Sequence, residues 1–278
     1  MPVTGDRAGQ RWRIGLATIA AVGLGASARA QTVTLSADIS VDLGGSVYHD
    51  EDVVTDDQLG TIVQESLGPL PGNVEVMGFE LLANGDRLFT LDTTADLGGG
   101  VTLRSADVAR YDGVTYTIEF DGSAEGVPDG TRPDAVTVDG SGDLLLSFDT
   151  TVNLGGTVSA DEDLVSFNGS SFSVVFDGSV EGLSETLDLD GASIDATGNL
   201  TLSLDGSGSV GGVDFDDEDV LEFQSGGSWS LIYDGGALHP SLGPADVNAV
   251  LVPEPGVFIQ LLAGSALLVL VGRGRIRS

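Results

Sequence analysis

One unit of about 55 residues recurs along the middle of the 278-residue chain, so any fold must stack or close four copies of it. Its clearest landmark is a turn followed by a strand. It reads Gly85-Asp86-Arg87-Leu88-Phe89-Thr90-Leu91-Asp92, then Gly142-Asp143-Leu144-Leu145-Leu146-Ser147-Phe148-Asp149, then Gly198-Asn199-Leu200-Thr201-Leu202-Ser203-Leu204-Asp205. A glycine pair follows each copy, at Gly98-Gly99, Gly155-Gly156 and Gly211-Gly212. An earlier pair, Gly44-Gly45, follows the related strand Val33-Thr34-Leu35-Ser36-Ala37-Asp38. An acidic triplet marks a second shared position: Asp50-Glu51-Asp52, Asp161-Glu162-Asp163 and Asp217-Glu218-Asp219, with Ala106-Asp107-Val108 as a degenerate copy. A third landmark is an alternating stretch ending in Asp-Gly over residues 115–122, 171–178 and 228–235, and alternation with aromatic residues marks a strand.

Each unit therefore holds four short strands, such as 135–138, 144–148, 163–167 and 172–176, and four strands per repeat resembles the blade of a β-propeller. Residues 246–252 read as the first strand of a further unit that lacks its second, and residues 33–38 as a second strand that lacks its first. Paired, they complete one blade, close the ring and remove two sheet edges open to aggregation. The expected fold is all-β, a four-bladed β-propeller over residues 31–252 with a terminal strand clasp. A signal helix over 1–30 and a transmembrane helix within 253–278 are expected to flank it. An open β-sandwich or solenoid built from the same strands is the rival, because four blades lie near the lower limit for a ring.

Charge narrows the partners. The chain has a formal net charge of −32 and no lysine, and between Gln31 and Val252 only four arginines stand against 41 acidic residues. Such a field repels nucleic acid and anionic lipid and attracts divalent cations, although acidic side chains also simply keep an exported protein soluble. With no cysteine there is no disulfide, thiol nucleophile or thiolate metal site.

The triplets Asp50-Glu51-Asp52, Asp161-Glu162-Asp163 and Asp217-Glu218-Asp219 are candidate calcium ligands, since clustered carboxylates offer hard oxygen donors. None matches an EF-hand or a nonapeptide calcium repeat, and the competing explanation is a turn that enters a buried strand. A catalytic constellation is not legible: His49 and His239 lie in different units, and no Gly-x-Ser-x-Gly elbow occurs. Among so many acidic residues a glycosidase-like carboxylate pair carries no signal of its own. Tyr116, Phe172 and Trp229 share one repeat position, which on an alternating strand reads as core packing rather than a sugar platform.

The two ends read as addresses. Arg7, Arg11 and Arg13 precede an apolar run from Ile14 to Ala26 and an A-x-A site, Ala28-Arg29-Ala30, the order of a secretory signal cleaved after Ala30. At the other end Pro253-Glu254-Pro255 precedes an apolar run over 256–271 and a tail containing Arg273, Arg275 and Arg277. The run is marginal in length for a membrane span, and the arginines beyond it favour a cytoplasmic C-terminus. This tripartite pattern resembles the PEP-CTERM sorting signal, matching Pro253, Glu254 and Pro255 one for one over about the last 26 residues. The resemblance implies a Gram-negative host that makes exopolysaccharide. It also implies an exosortase-type transpeptidase in the inner membrane as partner, and a route through that membrane to the cell surface or extracellular matrix.

The resulting expectation is an exported, non-enzymatic surface or matrix protein associated with extracellular polysaccharide, without a certain cofactor and with calcium as the one candidate ion. A secreted polysaccharide hydrolase or lyase is the alternative, and a charged cluster at the mouth of a central channel would favour it. A passive stalk that only displays the address is a third reading.

Overall fold

The computed structural model describes residues 31–252. The signal segment with Ala28 and Ala30, the sorting motif and the expected transmembrane helix all lie outside the described residues. Among the described residues no helix is long and apolar enough to cross a membrane.

The chain forms a four-bladed β-propeller, and the rival sandwich or solenoid is not what it adopts. From the axis outward, blade 1 is β24 (Val247–Leu251), β1 (Val33–Ala37), β4 (Val53–Asp56) and β5 (Ile62–Glu65). Blade 2 is β6 (Val76–Leu81), β7 (Arg87–Leu91), β10 (Val108–Tyr111) and β11 (Tyr116–Phe120). Blade 3 is β12 (Val136–Val138), β13 (Leu144–Leu146), β16 (Leu164–Phe167) and β17 (Phe172–Phe176). Blade 4 is β18 (Gly191–Ile194), β19 (Leu200–Ser203), β22 (Val220–Gln224) and β23 (Ser228–Tyr233). The clasp is present as expected: β24 pairs antiparallel with β1, Leu35 facing Val250 and Thr34 facing Leu251.

Each glycine pair lies at the turn of a short hairpin inserted between the second and third strands of its blade, with Gly99-Gly100 making the turn in blade 2, an element that repeat and alternation do not reveal. The hairpins are β2 (Val41–Leu43) with β3 (Ser46–Tyr48), β8 (Ala95–Gly98) with β9 (Val101–Leu103), β14 (Val152–Leu154) with β15 (Thr157–Ser159), and β20 (Gly208–Val210) with β21 (Val213–Phe215). Gly155 and Gly156 both have positive φ, 66° and 111°, the requirement of a two-residue turn that follows the strand twist.

Four apolar cores fill the four interfaces between successive blades. Phe79, Phe89 and Tyr111 meet Val53 and Leu251 between blades 1 and 2, and Val108 and Phe120 meet Leu146 and Phe167 between blades 2 and 3. Leu164 and Phe176 meet Leu202 and Phe223 next, and Val220 and Tyr233 meet Val33, Leu35 and Val250 where the ring closes. Tyr116, Phe172 and Trp229 pack as side chains of these interfaces, Tyr116 stacked on Tyr111 and Phe172 and Trp229 tilted against Phe167 and Phe223, with ring centroids 4.8, 4.7 and 4.9 Å apart. Among the described residues the four cores and both strands of the clasp close the ring on itself.

The inner strands crowd the axis. A Cβ on Gly191 would lie 2.1 Å from the Asn248 carbonyl oxygen of β24, and one on Gly78 2.9 Å from the Val136 amide of β12. Only glycine lets adjacent inner backbones approach so closely.

Candidate functional site at the axial mouth

The end of the axis where the inner strands begin is built by a lock repeated in all four blades. The aspartate that ends each second strand accepts the backbone N–H of the residue entering the inner strand and donates its own N–H to that residue's carbonyl. Asp38 holds Asp246 this way (2.8 and 3.1 Å), Asp92 holds Glu75 (2.8 and 3.1 Å), Asp149 holds Arg132 (2.9 and 3.0 Å) and Asp205 holds Asp188 (2.7 and 3.1 Å). The recurrent aspartate closing each Gly-Asp-type strand is therefore structural, and it fixes a ring of four side chains, Glu75, Arg132, Asp188 and Asp246, about the axis.

Two residues further in, Met77, Asp134, Asp190 and Asn248 form a deeper layer. The Asn248 amide donates to Glu75, and Asp190 shares a hydrogen bond with Asp246. Asp134 is 1% exposed and neither of its carboxylate oxygens has a hydrogen-bond partner, while one oxygen each of Asp188, Asp190 and Asp246 is likewise buried and unpartnered.

Burial in such company raises acidity constants, since a carboxylate stripped of water favours its neutral form and neighbouring negative charge adds to this. Burial, then the charge of Asp188, pushes Asp134 up to about 9. Burial first, with Asp161 and Asp205 adding to it, raises Asp188 to about 7, and burial takes Asp246 and Glu75 to about 7 as well. Asp190 moves well up for the same cause, with the charge of Asp246 adding to it. Arg132 supplies positive charge, but its guanidinium is paired with Asp149 at 2.8 Å.

The acidic triplets belong to the same end of the molecule, and they make the strand-entry turn that competed with the calcium reading. The third carboxylate closes a turn: Asp52 accepts His49 N–H, Asp163 accepts Ala160 N–H and Asp219 accepts Asp216 N–H at 2.9–3.0 Å. In Asp163 and Asp219 the other oxygen accepts the N–H of Gly178 and Gly235, and Asp107 of the degenerate copy does both jobs through Arg104 and Gly122. The middle residues Glu162 and Glu218 are buried, and burial raises both. The first residues, Asp50, Asp161 and Asp217, face the mouth, where their charges raise Glu75, Asp134 and Asp188, and Asp246 respectively. Glu51 lines a surface cavity with Asp52 and Glu65, beside the outer strands of blade 1. The three triplets sit in three blades, and among the described residues no three His, Cys, Asp or Glu side chains stand grouped at metal-binding distance.

The lock on the Asp-Gly landmark explains its glycine. A Cβ on Gly178 would lie 2.4 Å from the Glu162 carbonyl oxygen, and on Gly235 2.2 Å from that of Glu218. Gly178→Ala is expected to push the triplet loop off its turn and lower the urea midpoint of residues 31–252 by about 1–3 kcal/mol equivalent, the range for overpacking. An unchanged midpoint would show that the loop yields freely.

At the opposite end of the axis a cavity of about 220 Å³ is lined by Glu80, Leu81, Val138, Ser193, Ile194 and Leu251. Thr137 donates to Glu80 at 2.6 Å, and burial raises Glu80 to about 7. Neither histidine joins either mouth through the bonds it makes: His49 pairs with Ser40 at 2.8 Å, and His239 contacts Asp56 at 2.8 Å, where Tyr233 also donates.

No family model matches the chain, and no curated protein matches it. Among solved structures, a streptogramin B lyase is 12% identical, with 71% of this chain and 53% of that one covered and a TM-score of 0.31. The chain thus spans about half the length of that lyase. Virginiamycin B lyase from Staphylococcus aureus is 9% identical, with 74% and 86% covered and a TM-score of 0.34. A luciferin-regenerating enzyme is 12% identical, with 70% and 61% covered and a TM-score of 0.31. Likeness at this level says nothing of activity.

Proposed function

We propose that this chain is an exported, non-enzymatic surface or matrix protein that associates with extracellular polysaccharide through its acidic propeller. In this reading residues 1–30 send the chain out of the cytoplasm. Pro253-Glu254-Pro255 and the arginine tail then present it to an exosortase-type transpeptidase in the inner membrane of a Gram-negative host, and it ends at the cell surface or in the matrix.

The observation that carries the reading is how the carboxylates are graded at the axial mouth. The members with strongly raised acidity, Asp134 and Asp190, are buried beyond reach of a polymer's glycosidic bond, whereas Asp205 is exposed and Asp161 and Asp217 are half-buried at the rim. A rim of that kind holds a polymer without cutting it.

The hydrolase or lyase alternative has one specific support, the charged cluster at the mouth itself, because a neutral acid beside an ionised carboxylate is the pairing glycoside hydrolysis uses. Co-sedimentation of residues 31–252 with host exopolysaccharide separates the readings. Retention of intact glycan is expected; shortening of the glycan would replace this reading with the enzymatic one, and no retention at all would leave the passive stalk.

A further inference from the structure

We propose that the open edge of β17, with the groove beside it between blades 3 and 4, is a docking site for an extended basic segment of a partner protein, added to the blade as a fifth strand. The site lies on the side of the ring, and it stands whether or not the axial mouth holds a polysaccharide.

An outer strand leaves a row of backbone groups unpaired, and natural proteins guard such edges with charge or cover. Three of the blades do so. In blade 1 the outer strand ends on Glu65, which faces Arg87 at 3.6 Å. In blade 2 Glu119 of β11 pairs with Arg110 at 3.2 Å. In blade 4 the Gln58 amide reaches across from blade 1 and donates to the Ile232 carbonyl of β23 at 3.3 Å. Blade 3 has neither device. Its outer strand reads Phe-Ser-Val-Val-Phe, without charge or proline. Among the described residues a side chain reaches the backbone of β17 at its start alone, where Thr157 donates to the Phe172 carbonyl at 3.0 Å. Val174 and Val175 are 38% and 53% exposed on this edge.

The two valines line a surface cavity of about 470 Å³ together with Leu145, Leu200 and Phe223, so the unguarded edge adjoins an apolar groove. Its two ends are acidic. Asp139, which follows β12, stands at the end of the ring opposite the axial mouth, whereas Asp177 and Glu181, which follow β17, stand at the mouth end. No arginine lines the groove, and among the described residues none of these three carboxylates is in an ion pair. In strand addition the main-chain bonds supply affinity while alternate side chains enter the neighbouring pockets. A strand along five residues spans about 17 Å. The fitting occupant therefore carries aliphatic side chains toward the groove and lysine or arginine near both of its ends. A second copy of this chain does not fit, because residues 31–252 hold four arginines and no lysine against 41 acids, and like charge drives copies apart.

The test is a fluorescence anisotropy titration of the full-length chain into the labelled peptide Lys-Val-Thr-Val-Thr-Val-Lys, beside the same peptide N-methylated along its central residues, which keeps charge and side chains but loses the backbone donors. Saturable binding of one peptide per chain is expected, weakening as salt rises, with the N-methylated peptide weaker by about tenfold or more. Val175→Lys is expected to weaken binding by about tenfold as well. Val63→Lys makes the same change of charge on the exposed outer strand of blade 1 and is expected to leave affinity within about twofold. Val175→Glu adds attraction for a basic peptide but removes the apolar contact, and it too is expected to weaken binding. No binding, equal binding of the N-methylated peptide, or equal losses from Val175→Lys and Val63→Lys would overturn the proposal. A dimer of the parent chain in sedimentation that Val175→Lys dissolves would overturn it as well, by giving the edge to a second copy.

Discussion

A chain ended after Ala245, and so lacking β24, is expected to lose its cooperative thermal transition. Every residue of β24 is buried, and the strand serves two interfaces at once: Val247 and Val250 enter the core where the ring closes, and Ala249 and Leu251 enter the core between blades 1 and 2. Burial of a valine or leucine side chain is worth about 1.5–3 kcal/mol. Three such side chains, together with the ladder to β1, therefore amount to most of the roughly 5–15 kcal/mol that typically separates folded from unfolded states. Removal also strands Ser36, whose hydroxyl accepts Ala249 N–H and donates to the Val76 carbonyl, and it exposes β1 as an unpaired edge. Circular dichroism against temperature should show a broad, non-sigmoidal loss of signal, and a synthetic 246–252 peptide should restore the transition. A sharp melt within a few degrees of residues 31–252 would mean that the ring does not depend on its clasp.

The architecture was legible because the repeat put equivalent residues in register. The Gly-Asp-type turn with its closing aspartate, the acidic triplet and the Asp-Gly strand end all map to one place in each blade, and the unmatched strands 33–38 and 246–252 foretold the clasp. The inserted hairpins escaped because most of their strands are three residues long, too short for alternation to be read, and only the glycine pairs betrayed them. The triplets offered two readings, calcium ligands and a turn entering a buried strand, and their hydrogen bonds make the turn. Their recurrence is real, but Asp52, Asp163 and Asp219 recur because a turn needs a carboxylate acceptor, as Asp107 shows by doing the same without flanking acids. The axial cluster was not legible at all. Asp134 and Asp190 are two among 41 acids, and only the closed ring brings them together with Asp188 and Asp246. One signal was available: an acidic residue or arginine stands before the first strand of every unit, at Glu75, Arg132, Asp188 and Asp246.

Residues 31–252 should be most stable at mildly acidic pH and should weaken steadily from about pH 5 to pH 9. Carboxyls in the unfolded chain titrate near 4, whereas Asp188, Asp246 and Glu75 titrate near 7 in the fold and Asp134 near 9. Between those limits the native state binds more protons than the unfolded one, so unfolding free energy falls as pH rises, and the loss is complete only above the folded values. The groups facing the cluster reinforce this sign: Asp38 and Asp92 beside Asp246 and Glu75, Asp149 and Asp205 beside Asp188, and the triplet residues Asp50, Asp161 and Asp217. Arg132 opposes it, though it is shared with Asp149. The opposite sign applies to Asp57, Asp112, Asp121, Asp139 and Asp195, whose turn hydrogen bonds hold them below the usual range, so stability also falls once pH drops under about 4. A tenfold change in acidity constant between fold and unfolded chain corresponds to about 1.36 kcal/mol. Because water screens the outer carboxylates and the inner ones titrate as a set, the axial groups together should cost only on the order of 4 kcal/mol between pH 5 and pH 9, or about 8–16 °C in melting temperature for a domain of this size. Asp134→Asn removes a strongly raised group without changing its shape, and it should raise the melting temperature at pH 9 while leaving that at pH 5 nearly unchanged. Melts that are flat across this range, or an Asp134→Asn protein no more stable than its parent at pH 9, would mean that water reaches the mouth and that its carboxylates are ordinary surface acids.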